Sequence, residues 1–213
     1  MKLKPLLISL LTVLFLTGIT CAITPIDQRP IVQLDTSFGT IIIRLFPDEA
    51  PKTCENFLSY VNEGYYDNTI FHRVIDGFII QGGGFTQDLK PKNSKTPIRN
   101  ESRQGLSNIK GTISMALTID NNSASSQFFF NLADNTDLNY TTKRGKGYTV
   151  FAELIDGQRV IEKIQKVKTS RIMIYSDVYK RNVPLHDVPE ETIIIKKASI
   201  LRNITQVNND IKN

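Results

Sequence analysis

The chain has little of what metal, redox or nucleophilic chemistry requires. Its 213 residues include two cysteines, Cys21 and Cys54, and two histidines, His72 and His186. So few donors cannot build a first-row metal site of usual ligand count unless carboxylates do most of the binding. There is no Gly-x-Ser-x-Gly elbow for His72 to serve as a base, so His72 reads as packing and hydrogen-bonding beside its neighbour Arg73. Gly82-Gly83-Gly84 is not followed by Gly-Lys-Ser/Thr, which makes it a tight strand exit rather than a phosphate loop. Neither sign of charge dominates: 26 Lys and Arg stand against 21 Asp and Glu. That balance is too mild to imply nucleic acid, and Lys143-Arg144-Gly145-Lys146 is too short to form such a surface. No internal repeat and no shift in composition divides the chain, so one domain with one hydrophobic core is expected.

The long apolar run lies at the N-terminus. Lys2 and Lys4 precede a stretch from Leu6 to Thr17, and Thr20-Cys21-Ala22 then offers small residues. This is the pattern of a signal peptide over residues 1–22, cut after Ala22. The run is short for a membrane span, and Gly18-Ile19-Thr20 poorly suits lipid attachment at Cys21. The expectation is a periplasmic or secreted protein with no stable membrane insertion after cleavage. Removing Lys2 and Lys4 leaves a net charge of about +3, and only Cys54 remains, so no intramolecular disulfide forms and stability rests on packing.

What is present is mostly strand. Apolar, β-branched runs at 31–36 and 40–46 flank Ser37-Phe38-Gly39, a hairpin signal. A helix follows: Pro51 fits its first position, Cys54, Phe57, Leu58 and Val61 form one stripe, and Gly64 stops it. Strands lead through Gly84, then a polar loop runs from Thr86 to Ser107. Further strands are expected at 111–117, 126–132, 148–155 and 192–201. A second helix near 158–166 carries Val160, Ile161, Ile164 and Val167. Lys168 to Glu191, with two Val-Pro steps, reads as a long solvated loop, and the tail 203–213 as polar and frayed. With no βαβ alternation, the fold class is mainly β: a closed antiparallel eight-stranded β-barrel capped by two α-helices, within a domain at 23–202.

The most informative stretch is Phe71-His72-Arg73-Val74-Ile75-Asp76-Gly77-Phe78-Ile79-Ile80-Gln81-Gly82-Gly83-Gly84-Phe85. It sets a guanidinium fork and an amide beside apolar positions, which suits a neutral amide bearing an apolar ring, as in an X-Pro peptide bond. The stretch resembles the signature of the cyclophilin family of peptidyl-prolyl isomerases, in its bacterial branch. Three further blocks resemble the same family in order: Ala50-Pro51-Lys52-Thr53-Cys54-Glu55-Asn56-Phe57, then Gly111 to Ala116 with Ser125 to Phe130, then Gly147 to Ala152. The resemblance as a whole covers about Ile31 to Leu201.

The resemblance implies rotation of X-Pro bonds in extended or unfolded polypeptides, with neither metal nor cofactor, by a monomer. It makes Arg73 the catalytic residue. Phe78, Ile79, Met115, Phe129 and Leu138 match positions lining the proline pocket, and Tyr148 stands where many eukaryotic members have histidine. Gln81 and Gln127 match amides that hold substrate backbone and orient the arginine. Ala116 and Leu117 match the segment whose main chain pairs with bound peptide. Two departures stand out. Ile79 replaces a frequent methionine, and Asp137 replaces an aromatic that helps hold cyclosporin, which argues against drug sensitivity. A binding module that uses the same groove without turnover is the alternative.

Overall fold

The computed structural model describes residues 29–201, apart from 104, 119 and 177–179. The expected signal segment 1–22 and the tail 203–213 lie outside the described residues. Among the described residues ten strands form: β1 (Ile31–Thr36), β2 (Gly39–Leu45), β3 (Thr69–Ile75), β4 (Ile79–Thr86), β5 (Thr112–Met115), β6 (Phe128–Asn131), β7 (Val150–Asp156), β8 (Thr169–Ser176), β9 (Arg181–Pro189) and β10 (Ile193–Leu201). Eight of them close into an antiparallel barrel in the order β1-β10-β3-β4-β6-β5-β7-β2, the architecture expected from the sequence.

Side chains alternate between two faces of each strand, so register decides what fills the barrel. One inward row is Val74, Ile80, Phe130 and Ile113, carried across β3, β4, β6 and β5 by the pairs Val74↔Ile80, Ile80↔Phe130 and Phe130↔Ile113. All four are buried in the main core cluster. Full burial of each such side chain is worth about 1.5–3 kcal/mol.

Helix α1 (Pro51–Asn62) places Phe57 against Tyr66, Phe128 and Phe151, with ring centroids 5.1, 5.5 and 5.0 Å away. Its N-terminus has no cap from Ala50. Instead the Glu101 carboxylate accepts from the backbone N–H groups of Lys52 and Thr53 at 3.1 and 2.9 Å, satisfying two of the helix's unpaired donors. Helix α2 (Gln158–Ile164) adds Ile161 and Ile164 to the core, with Val160 and Val167 packed at its edge.

One expectation fails. Lys168 to Glu191 is not a structureless loop, because most of it is the antiparallel ribbon β8–β9, outside the barrel. Its side chains do alternate: Ile172 and Ile174 are half-buried while Arg171, Met173 and Tyr175 are exposed. The two prolines that argued against strand, Pro184 and Pro189, are tolerated because a two-stranded ribbon needs no continuous ladder on both edges. Val188 and Pro189 are buried, and Glu190 N–H donates to the Lys168 carbonyl at 2.9 Å, which closes the base of the ribbon.

Candidate active site

The outer face of the same four strands builds a second row. Arg73 pairs with Gln81, Gln81 with Phe129, and Phe129 with Ser114, so these residues lie side by side across β3, β4, β6 and β5. Phe129 belongs to this face because its neighbours Phe128 and Phe130 belong to the core. The alternation that buries an apolar barrel therefore also lines up a cation, an amide and a ring outside it. Two register shifts in the β3–β4 pairing, flanking Phe71, re-aim the strand just before Arg73.

An apolar wall stands next to this row. The Tyr148 ring meets Phe129 edge-on, 5.5 Å between centroids at 80°, a favoured aromatic geometry. Tyr148 N–H donates to the Leu138 carbonyl at 2.9 Å, which fixes the 3-10 turn Thr136–Leu138 beside it. Phe78 follows the turn residue Gly77 (φ +69°), and its carbonyl accepts from Leu132 N–H and from Asn135 Nδ2, both at 2.9 Å. Ile79 shares the outer face and is 4% exposed. Asp137 is exposed in the 3-10 turn, with its carbonyl bound by the Arg144 guanidinium.

The amides are paired with each other. Gln81 Nε2 donates to Gln127 Oε1 at 2.9 Å. Gln127 lies directly over Gly84, where a Cβ would sit 2.4 Å from its side chain, so any larger residue there would displace the Gln127 amide. The adjacent Gly83 has φ +80°, a second constraint on that triplet. Ala116 N–H donates to the Gln127 carbonyl at 2.9 Å, so that donor is taken within the protein. Leu117, next along, is half-buried.

Met115 departs from expectation. It is fully buried in the main core cluster and pairs with Phe128, one position out of phase with the outer row. Its side chain fills the barrel rather than lining a surface pocket. His72 packs at a tilt against Phe85 with centroids 4.5 Å apart, as packing predicts, but its buried Nδ1 has no hydrogen-bond partner among the described residues. Burial, and then the charge of Arg73, hold its pKa down at about 4, so it is neutral beside the guanidinium.

Two features escaped the sequence reading. The first is a buried polar network behind the apolar wall. Asn108, fully buried, accepts from Ser114 Oγ at 2.7 Å and Asn131 Nδ2 at 3.2 Å, and donates to the Tyr148 carbonyl at 3.2 Å and to Asn139 Oδ1 at 3.1 Å. Asn131 in turn accepts from Asn135 at 2.9 Å. Asparagines in loops look like turn formers, and nothing local marks these as buried. The second feature is Asp187 of β9, whose Oδ2 lies 3.4 Å from Arg73 Nε.

Residues 31–200 match the family described as cyclophilin type peptidyl-prolyl cis-trans isomerase/CLD. The chain belongs to that family. It is 49% identical to peptidyl-prolyl cis-trans isomerase B of Escherichia coli K12 over 159 residues, which are 74% of this chain and 97% of that protein. It is 41% identical to peptidyl-prolyl cis-trans isomerase A of Dickeya dadantii over 199 residues, 93% of this chain and 98% of the relative. A Cryptosporidium parvum cyclophilin crystal structure superposes with a TM-score of 0.67 at 30% identity, covering 82% of this chain and 99% of its own. The same protein crystallised in the presence of the dipeptide Ala-Pro gives 0.66. The cyclophilin family and its barrel, expected from the sequence blocks, are thus established, and with them peptidyl-prolyl isomerase activity. Among the described residues no group of three or more His, Cys, Asp or Glu could hold a metal ion, and no helix is long and apolar enough to cross a membrane.

Proposed function

We propose that this isomerase accelerates X-Pro rotation in exported proteins, with Arg73 as its catalytic residue. The observation that carries the reading is the outer row of Arg73, Gln81 and Phe129, bordered by Tyr148 and Leu138. A prolyl ring fits against Phe129, Phe78, Ile79, Leu138 and Tyr148, while Gln81, Gln127 and the main chain of Ala116 and Leu117 hold the peptide.

The uncatalysed barrier reflects partial double-bond character in the C–N bond, about 18–20 kcal/mol. As the bond twists, resonance is lost, the prolyl nitrogen becomes pyramidal and its lone pair localises. A guanidinium N–H aimed at that nitrogen interacts more strongly with the twisted state than with either planar state, which is the condition for catalysis. Lowering the barrier by about 6 kcal/mol turns tens of seconds into milliseconds. No bond is made or broken, and the reaction needs no nucleophile or cofactor.

Export rests on the N-terminal pattern of Lys2, Lys4, the run Leu6 to Thr17 and the small residues ending at Ala22. The mature protein, from Ile23 onward, works as a monomer in the periplasm or outside the cell. The test is the isomerisation rate of a short Ala-Pro peptide with that mature form, beside Arg73→Ala. The expected result is rapid turnover that falls at least tenfold in the variant, with the far-ultraviolet spectrum unchanged. Binding of the peptide without acceleration by wild type would replace this reading with a binding module. An N-terminal mass other than that of Ile23 would overturn the cleavage site.

A further inference from the structure

We propose that Asp187, carried on the ribbon, is the positioning residue that aims the Arg73 guanidinium; this rests on Arg73 being catalytic. Family resemblance gives Gln81 and Gln127 the task of orienting the arginine, yet among the described residues no hydrogen bond joins either amide to Arg73; they pair with each other at 2.9 Å. Among the described residues the one hydrogen-bond and ion-pair partner of the Arg73 side chain is Asp187. Asp187 Oδ2 approaches Nε at 3.4 Å, which leaves the two terminal nitrogens of the fork to face a substrate.

The ribbon is shaped to deliver this carboxylate. Between the pairs Ser170↔Val188 and Ile172↔Leu185, β8 has one residue where β9 has two, His186 and Asp187. This is a β-bulge, a device that redirects a side chain. Asp187 itself is left-handed, at φ +58°, a conformation that aspartate and asparagine tolerate better than other non-glycine residues. The bulge and β3 enclose a cleft of about 510 Å³ lined by His72, Arg73, Pro184, Leu185, His186 and Asp187. Buried Val188 and Pro189 anchor the strand immediately after the bulge. A pair this exposed, with each side chain 38% accessible, contributes little to folding, so its effect belongs to geometry.

Asp187→Asn keeps the size and the left-handed tolerance while removing the charge that holds Nε. The experiment is a double-mutant cycle on Ala-Pro peptide turnover with the purified protein: wild type, Asp187→Asn, Arg73→Ala and the double variant. The expected result is a loss of about fivefold or more for Asp187→Asn when Arg73 is present, and no further loss when it is absent. Equal losses in both backgrounds would make Asp187 a structural residue and overturn the proposal. An unchanged rate in Asp187→Asn, with Arg73→Ala still impaired, would overturn the positioning role alone. An active Arg73→Ala would instead remove the catalytic reading on which it stands.

Discussion

His72 is held neutral by burial first and by the neighbouring Arg73 cation second, and this has a cost that pH exposes. Its pKa sits at about 4 in the folded chain against an ordinary value of 6.5. Between those two pH values the unfolded chain binds a proton that the folded chain refuses. Stability therefore falls as pH drops through 6.5 toward 4 and is unaffected by this group above 6.5. The loss approaches about 3 kcal/mol when the whole interval is crossed. His72→Phe keeps a ring against Phe85 and removes the titration, so its melting temperature falls less than that of wild type between pH 7 and pH 5. Identical falls would contradict the assignment. Cys54 is a second residue governed by burial, which pushes its thiol up to about 12 and leaves it inert within α1.

Among the elements, the turns behind the pocket depend on a few buried amides. Asn108 ties β5, β6, the 3-10 turn and Tyr148 into one unit. Asn108→Ala leaves Ser114 and Asn131 each short of an acceptor, at a cost of about 2 kcal/mol or more. Urea unfolding reads this directly, and an unmoved midpoint would refute it. The same region shows why some elements were legible in the sequence and others were not. Hairpin β1–β2 and helix α1 announce themselves by alternation and by the stripe Cys54, Phe57, Val61, bounded by Pro51 and Gly64. That Arg73, Gln81 and Phe129 share one face follows from the strand phase of the two blocks that carry them. Met115 was misplaced because a matched position says nothing of which face it takes, and one step along β5 decides that. The ribbon β8–β9 was read as loop because Pro184 and Pro189 weaken strand signals that Ile172, Ile174, Val183 and Leu185 would otherwise give. Asp187 was invisible, since its partner is 114 positions away in the chain.

At the scale of the whole molecule, a closed barrel gives Arg73 a rigid support. Its outer row inherits the spacing of strands whose inner rows are fixed by a packed core, so the cation, amide and ring are arranged before substrate arrives. Catalysis by such a preformed row predicts a separation between holding the peptide and turning it. On the proposed mechanism, binding draws on the apolar wall and the amides, whereas Arg73 acts chiefly as the bond twists. The most direct measurement is nuclear magnetic resonance of an Ala-Pro peptide with wild type and Arg73→Ala, reading affinity and the cis–trans exchange rate on the protein in one titration. The account predicts affinities within about threefold of each other and exchange slowed at least tenfold in the variant. Exchange that persists at the wild-type rate, or affinity that falls as far as exchange does, would contradict a role for Arg73 in the twisted state.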